Sequence, residues 1–309
     1  MGGTKILGVL VGADSENGPV TFSELATATR PSLQGNQGVL DSALKVISAL
    51  LDQADLPMNR IGGIGIGIPG AVNASTGMVY NAVNLGLEQL ELRRELEDRL
   101  GVPVTVNNDV KIAAIGAAHD LGLDGSVVYL NIGTGMAACL VEDGEIFTGS
   151  TGVAGEIGHL PVDPGGDPCG CGQVGCLETI ASGSAITRLW PSDAPHPSDE
   201  LLAEHLGGNP EATRIFRSFA SGIAQAVRAI VLSYDPEMVI LGGGMRKLGE
   251  PLSDEITSTF EGWSASSPFI ASLNLGARLS ILPHDSNAGA TGAALMAHQI
   301  TTAHRSGES

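Results

Sequence analysis

Three of the four cysteines of this chain fall within eight residues, in the stretch GEIGHLPVDPGGDPCGCGQVGCLE at residues 155–178. Cys169, Cys171 and Cys176 follow His159 closely enough for one loop to deliver all four side chains to a tetrahedral metal site. Four protein ligands leave no open position, so the expected ion is a structural zinc. A metal-free thiol cluster and a reversible disulfide are the alternatives, and the spacing favours zinc.

Two carboxylates accompany this cluster. Glu156 stands three residues before His159, and Glu178 two residues after Cys176. An imidazole that binds zinc through one nitrogen keeps the other as a donor. Carboxylates beside a donor suit a polyol, because sugar hydroxyls both donate and accept hydrogen bonds. The alternative is a pair of solvated surface acids.

A further carboxylate, Asp109, follows Asn107 and Asn108 at a predicted strand-to-helix turn. α/β proteins direct catalytic groups from such turns. A carboxylate there can accept the proton of an attacking hydroxyl. An ordinary helix cap is the alternative interpretation.

Glycine-rich turns offer candidate phosphate sites. The Gly3-Thr4 and Gly133-Thr134 turns present backbone N–H groups and a hydroxyl, and the GGG run at 242–244 permits close approach to a nucleotide. The stretch GIGIPG at 65–70 also fits the G-x-G-x-x-G pattern of NAD-binding proteins. We predict that this fit is false, because Pro69 and the turn-forming NASTG do not open a helix.

Length and charge limit the classes to which this protein can belong. A chain of 309 residues exceeds the usual size of a single core, so we expect two lobes. The net charge of −18 argues against nucleic acid and anionic membranes as partners. We find neither a signal peptide nor an apolar stretch near the ~18 residues of a membrane span, and expect a cytoplasmic protein. In that reducing compartment a structural disulfide is disfavoured.

The pattern along the chain alternates strands with helices, which indicates an α/β protein. Helices are predicted at 38–54, 90–101, in the Ala-rich run after Asp109, in the long run before Asp235, and in the small-residue run at 287–299. The stretch PSDAPHPSDE, residues 191–200, is expected to form a surface loop.

The two halves resemble each other. Aligning Gly3-Thr4 with Gly133-Thr134 places Leu10-Val11 on Leu140-Val141 without a gap. Two Gly-Thr turns in two α/β halves would suit a cleft between paired lobes. The second copy has a strand, VVYLNI, before its turn, whereas the first copy begins almost at the turn, with Met1.

Seven motifs occur in the order found in the ROK family of sugar kinases and related repressors, and the chain resembles that family over nearly its whole length. They are GGTK, GIPG, NNDV, GTG, GEIGH, CGCGQVGCLE and DPEMVILGGG. The resemblance implies an actin-like ATPase (ribonuclease H-like) fold with two lobes around a central cleft. We expect an N-terminal lobe at 1–118, completed by a C-terminal helix at 287–309, and a second lobe at 119–286 that carries the zinc loop at 159–176.

The resemblance also implies a reaction and roles for residues. The reaction is ATP- and Mg²⁺-dependent phosphorylation of a hexose, most simply the glucose 6-hydroxyl, by a homodimer or homotetramer that contains structural zinc. Asp109 would be the catalytic base, and sugar hydroxyls would contact Gly70, Asn84, Asn108, Asp109, Glu156, His159 and Glu178. ATP would contact Gly3, Thr4, Lys5, Gly133, Thr134, Gly135, Gly242, Gly243 and Gly244.

One departure bears on activity. ROK kinases usually have an Asp directly before the first Gly-Gly-Thr, where this chain has Met1. That Asp helps arrange Mg²⁺ and phosphate in the family, and we expect that the start of the chain has been placed too late.

Three alternatives to an ATP-dependent glucose kinase remain. They are a kinase for N-acetylglucosamine or mannose, a kinase that uses polyphosphate as the donor, and a sugar-sensing pseudokinase that lacks this Asp.

Overall fold

The computed structural model describes the backbone of residues 6–14, 18–27 and 35–306, and the side chains of residues 6–12 and 35–301. The chain divides into two compact units. The first contains Met1–Leu121 and Asn287–Ser309, and the second contains Gly122–Ser286.

The first unit combines strands and helices along its N-terminal part, as expected for an α/β protein, although β3 to β6 follow one another without an α-helix between them. In chain order the elements are β1 Ile6–Asp14, β2 Gly18–Thr27, α1 Asn36–Ala54, β3 Ile64–Ile68, β4 Ala71–Asn73, β5 Met78–Ala82, β6 Leu87–Glu91, α2 Leu92–Leu100, β7 Val104–Asn108 and α3 Asp109–Asp120.

The second unit contains one five-stranded sheet among its described elements, with a long core helix. Its elements are β8 Val127–Ile132, β9 Met136–Glu142, β10 Glu145–Ile146, α4 Gly183–Leu189, α5 Pro197–Leu206, α6 Pro210–Tyr234, β11 Met238–Gly242, α7 Gly249–Ser266, α8 Pro268–Ser272 and β12 Leu279–Ile281. The chain then returns to the first unit through α9, Ala288–Ser306.

Helix α9 fixes the elements that carry the candidate catalytic residues of the first unit. A Cβ atom added at Gly116 of α3 would lie 1.9 Å from the carbonyl oxygen of Ala288, and one at Gly292 would lie 2.0 Å from that of Ile112. One at Gly65 of β3 would lie 1.8 Å from the carbonyl oxygen of Ala293. The small-residue helix predicted from the sequence therefore packs closely against its neighbours.

Strands β3 and β7 set the position of the NND and GIPG motifs. They pair in parallel, with Ile68 opposite Asn108. Because the carboxyl ends of parallel strands meet at one edge of a sheet, Gly70 and Asp109 leave that edge side by side. Strand β3 is followed by strand β4 and not by a helix, so GIGIPG is not a dinucleotide-binding turn.

The sheet of the second unit brings two glycine turns to one edge. Its strand order is β10-β9-β8-β11-β12, with β11 parallel to β8 and to β12, and β9 antiparallel to β8. Gly242 pairs with Asn131, so the chain leaves β8 at Gly133 and β11 at Gly243 on the same side of the sheet. Helix α6 supplies Phe216, Phe219 and Ile223 to the core against this sheet.

Two expectations about the second unit need correction. Residues 191–200 do not form a loop throughout, because α5 begins at Pro197. Proline in the first turn with Asp199 and Glu200 behind it is a helix-start signal that the loop interpretation overlooked. The second expectation is that no apolar stretch approaches a membrane span. By length and composition alone, α6 is long and apolar enough to cross a membrane, although the core helix of a soluble protein passes the same test.

The internal alignment of the two halves agrees with the strand pairing. With Gly3 placed on Gly133, the start of β1 at Ile6 falls on Met136, where β9 begins. Strand β1 pairs antiparallel with the strand that follows it, β2, and β9 pairs antiparallel with β10. The two halves therefore share a hairpin at the equivalent place.

Candidate functional site

The structure brings together the four side chains that the sequence assigns to a metal. The ligand atoms of His159, Cys169, Cys171 and Cys176 all lie within 4.8 Å of one another. The Cys171 and Cys176 sulfurs are 3.7 Å apart, and the Cys169 sulfur lies 3.6 Å from Nδ1 of His159. A disulfide would bring two sulfurs to about 2.0 Å, so all three thiols are free.

The two shorter distances, 3.7 Å between the Cys171 and Cys176 sulfurs and 3.6 Å between the Cys169 sulfur and Nδ1 of His159, fit a tetrahedral zinc ion. With zinc–sulfur and zinc–nitrogen bonds of about 2.3 and 2.0 Å, the edges of a tetrahedron are about 3.8 Å between sulfurs and about 3.5 Å between sulfur and nitrogen. The donor set of three thiols and one imidazole is a common structural zinc set. Since Nδ1 of His159 faces Cys169, Nε2 is the ring nitrogen left for another group.

The thiols differ in their surroundings. Burial and the neighbouring thiols raise the pKa of Cys176, whose side chain is fully buried. Hydrogen bonds from Gln173 lower the pKa of the exposed Cys171. Three thiolates packed this closely would repel one another without a cation, so the cluster suits a metal ion better than an empty thiol group.

Gln173 is a functional candidate that the sequence analysis missed. Its Nε2 donates to the carbonyl oxygen of His159 at 3.1 Å and lies 3.4 Å from the Cys171 sulfur and 3.8 Å from the Cys176 sulfur. The side chain therefore joins three of the four candidate ligands. Its only signal in the sequence is its place between the second and third cysteines.

Asp109 lies at the head of α3, where the sequence predicts it. Its Oδ1 accepts a hydrogen bond from the Val110 N–H at 3.0 Å. Burial raises the pKa of Asp109, and that N–H opposes the shift. A partly buried carboxylate with a raised pKa is suited to accept a proton.

Asn108 caps α3 and holds a second motif in place. Its Oδ1 accepts from the N–H groups of Val110 at 3.0 Å and Lys111 at 3.3 Å, and its Nδ2 donates to the Gly70 carbonyl at 3.0 Å. Asn108, and not Asp109, is therefore the helix cap, which removes the ordinary-cap interpretation of Asp109.

The other two candidate sugar contacts of the first unit lie near one hairpin. Gly70 has φ +100°, and a Cβ there would lie 2.7 Å from the Tyr80 carbonyl and 3.0 Å from Ala82. Asn84 is exposed in the 3₁₀ turn Val83–Leu85, two residues beyond Ala82. The structure thus joins Gly70 to Asn108 by a hydrogen bond. Asn84 lies in the turn that follows β5, the strand that packs against Gly70.

Glu156 lies just before the metal loop in the chain, and Glu178 lies just after it. Glu156 is exposed and precedes the 3₁₀ turn Ile157–His159. Glu178 lies in the 3₁₀ turn Leu177–Thr179, and its Oε2 accepts the Met136 N–H at 2.9 Å. In this structure Glu178 therefore faces the glycine turn that the sequence assigns to ATP.

The glycine turns of the second unit are held by specific contacts. In the first, the carbonyls of Gly133 and Thr134 accept from the N–H groups of Gly183 and Ser184, and the Thr134 side chain is exposed. The second turn follows β11, where the Gly243 N–H donates to the Tyr129 hydroxyl at 3.2 Å.

The three glycines at 242–244 have different reasons to be glycine. A Cβ at Gly242 would lie 2.2 Å from the Tyr129 hydroxyl, and one at Gly243 would lie 2.4 Å from the Ile132 carbonyl. A Cβ at Gly244 would meet no heavy atom within 4 Å beyond its chain neighbours. Packing accounts for the first two glycines, while Gly244 is open to solvent. Gly3, Thr4 and Lys5, the remaining ATP candidates, lie outside the described residues.

Comparison with known proteins places the chain in a family. Residues 1–300 match the ROK family. The chain is 34% identical to a glucokinase of Halalkalibacterium halodurans over 77% of this chain and 76% of the relative, and 33% identical to an N-acetyl-D-glucosamine kinase of Erwinia tasmaniensis over 70% and 77%. A ROK family glucokinase from Streptomyces griseus, solved with glucose and AMPPNP, superposes with a TM-score of 0.74 at 27% identity over 97% of each chain.

Strand order, glycine turns and structural neighbours define a protein of the actin-like ATPase class. This confirms the fold class expected from the sequence. Within that class the metal loop and the match over residues 1–300 are specific, and the chain belongs to the ROK family.

Proposed function

We propose that this protein is a hexose kinase that transfers the γ-phosphoryl group of ATP, with Mg²⁺, to the 6-hydroxyl of glucose. The observation that carries it is the match, over 97% of each chain, to a ROK glucokinase solved with glucose and AMPPNP. Named relatives that act as sugar kinases and the position of Asp109 support the same conclusion.

Asp109 acts as the base in this mechanism. Phosphoryl transfer needs little covalent help, so its rate depends on holding the hydroxyl in line with the phosphate and on stabilising charge. Asp109 accepts the hydroxyl proton, and its burial-raised pKa makes it a stronger base than an exposed Asp. Asn108 fixes Asp109 at the start of α3 and keeps Gly70 beside it.

The other sugar contacts come from the metal loop and the hairpin of the first unit. Nε2 of His159 is free to contact a sugar hydroxyl while Nδ1 faces the thiols. Glu156, Glu178 and Asn84 complete the assigned set, which suits a polyol because it combines acceptors with donors. Zinc, when bound by His159 and the three cysteines, would supply rigidity to this loop and no chemistry.

ATP is assigned to the glycine turns. The Gly133 N–H donates to the Gly135 carbonyl at 3.0 Å and so closes the turn. The N–H groups of Thr134 and Gly135 and the Thr134 hydroxyl would contact phosphate oxygens, and Gly242–Gly244 would approach the adenosine. Gly3, Thr4 and Lys5 keep their predicted role at the phosphates. A homodimer or homotetramer, a cytoplasmic location, and the exclusion of nucleic acid and membrane partners also stay predictions.

A second candidate is an N-acetylglucosamine kinase, favoured by the 33% identical relative from Erwinia tasmaniensis that carries that name. Both sugars present the same 6-hydroxyl, so the two functions differ in the group accepted at C2. The roles proposed for Asp109 and for the metal loop would serve either substrate.

The test is formation of sugar phosphate from glucose, N-acetylglucosamine, mannose or fructose, with Mg-ATP or Mg²⁺ and polyphosphate as the donor. A kcat/KM highest for glucose supports the main proposal, and one highest for N-acetylglucosamine selects the second candidate. Turnover with polyphosphate and not with ATP would overturn the donor assignment. Sugar binding without turnover of either donor would indicate a sugar sensor and contradict the kinase proposal.

A further inference from the structure

The metal loop continues directly into the segment that holds the first glycine turn of the second unit. We call residues 177–184 the clamp segment. Its Glu178 accepts the Met136 N–H at 2.9 Å. At its other end, the N–H groups of Gly183 and Ser184 donate to the carbonyls of Gly133 and Thr134 at 2.8 and 3.1 Å.

The clamp segment is fixed to the metal loop at its first residues. Leu177 directly follows the candidate ligand Cys176, and both are fully buried. The Leu177 N–H donates to the Leu160 carbonyl at 3.0 Å, one residue beyond the candidate ligand His159. The Thr179 hydroxyl donates to the Cys176 carbonyl at 2.7 Å. Two ligands of the cluster therefore border the start of the clamp.

A second connection runs through Arg188 of α4. Its guanidinium pairs with Asp167 of the metal loop at 2.8 Å and donates to the Thr179 carbonyl at 2.8 Å. Because Arg188 lies on the helix that begins at Gly183, it ties the far end of the clamp back to the loop.

Contacts between clamp and turn leave little room for movement. A Cβ added at Gly183 would lie 2.8 Å from the carbonyl oxygen of Gly133. One added at Gly135 would lie 2.4 Å from Oε2 of Glu178. The turn Gly133–Met136 is thus held from both ends by residues of one short segment.

We propose that the clamp segment positions the Gly133–Met136 turn, so that nucleotide affinity depends on the same loop that holds the metal ligands. The role assigned to the loop in the mechanism above is confined to the sugar, and this inference extends it to the nucleotide. It rests on the proposed function, because it takes the turn as the site of the ATP phosphates. Gly183 and Arg188 are positioning residues, since neither is assigned to substrate.

The test compares Gly183→Ala with Ser184→Ala. The first adds a Cβ that must displace the Gly133 carbonyl, while the second removes a hydroxyl and keeps the N–H that bonds Thr134. We expect Gly183→Ala to weaken binding of Mg²⁺ with a fluorescent ADP analogue roughly tenfold or more, because small displacements of binding groups are costly. Zinc content and glucose affinity should stay within about twofold of wild type, and Ser184→Ala should match wild type in every measurement.

Arg188→Ala provides a second variant that removes an exposed side chain and should fold normally. It cuts the tie to Asp167 and Thr179, and we expect roughly two- to fivefold weaker nucleotide binding with zinc retained. Wild-type nucleotide affinity in Arg188→Ala and in folded Gly183→Ala would overturn the positioning role while leaving the kinase proposal intact. A wild-type protein that binds glucose and no nucleotide would overturn both.

Discussion

The Asn108 side-chain amide donates a hydrogen bond to the carbonyl oxygen of Gly70 at 3.0 Å, which joins the carboxyl ends of two parallel strands, β3 and β7. The same side chain caps α3 through its Oδ1. One residue therefore fixes both the helix that begins with Asp109 and the turn that carries Gly70.

Replacing Asn108 should reveal these two roles separately. Asn108→Ala loses the cap and the bond to Gly70, and should lower the free energy of unfolding by about 1–2 kcal/mol, as measured by urea denaturation. Asn108→Asp keeps an oxygen for the cap and loses the donor to Gly70, so it should recover most of that stability. Equal losses in the two variants would contradict the capping role.

Removing the charge of Asp109 should abolish most turnover. We expect Asp109→Asn to lower kcat at least about 10²-fold, because the amide cannot accept the hydroxyl proton, while glucose affinity largely survives. Wild-type kcat/KM should fall as pH drops through the raised pKa of Asp109, since only the carboxylate acts as base. Steady-state kinetics and glucose titration calorimetry make the comparison, and near-normal turnover by the variant would exclude Asp109 as the base.

The same substitution should not destabilise the protein at neutral pH. The folded-state pKa of Asp109 lies above its unfolded value because of burial, so the ionised group costs stability once the pH rises above the unfolded pKa. Asp109→Asn removes this cost and keeps an oxygen for the Val110 N–H. We therefore expect its free energy of unfolding to exceed that of wild type at pH 7 and the difference to shrink toward pH 4. A variant less stable than wild type at pH 7 would contradict the burial of this charge.

Gln173 should contribute to metal affinity without being a ligand. Gln173→Ala removes the donor to the His159 carbonyl and to the Cys171 sulfur, and we expect zinc to bind about 10- to 100-fold more weakly. Competition with a chromophoric chelator measures this change. Val174→Ala, an exposed apolar neighbour, is the matched control and should retain wild-type affinity. Equal affinities for all three proteins would show that Gln173 does not support the site.

Because α9 is closely packed, substitution should lower the free energy of unfolding at one of its glycines and not at another. Gly292→Ala places a Cβ 2.0 Å from the Ile112 carbonyl and should cost at least about 1–3 kcal/mol of unfolding free energy. Gly289→Ala, three residues earlier in α9, has open space around its Cβ and should be neutral or stabilising by up to about 1 kcal/mol. Urea denaturation of both variants distinguishes packing from helix propensity, and a similar loss in each would argue against the packing explanation.

The sequence alone determined the parts of this protein that depend on local pattern. Periodic apolar residues located α1 and α6, an Ala-rich run located α3, and alternation of strands with helices indicated the α/β class. The spacing of His159 and three cysteines identified the metal cluster, because all four ligands come from one loop and need little long-range information. Proline and two acids at the start of α5 also carried a signal, which the loop interpretation of residues 191–200 missed.

Tertiary structure decided the relationships between residues distant in sequence. Asn108 meets Gly70 only because β3 and β7 pair in parallel, and Glu178 meets Met136 only because the clamp segment folds back on β9. The sequence does not show why a particular glycine is required. A side chain at Gly242 would collide with Tyr129 and one at Gly292 would collide with α3, whereas one at Gly289 would meet open space. Such contacts depend on close packing across elements, which a pattern of apolar and polar residues does not encode.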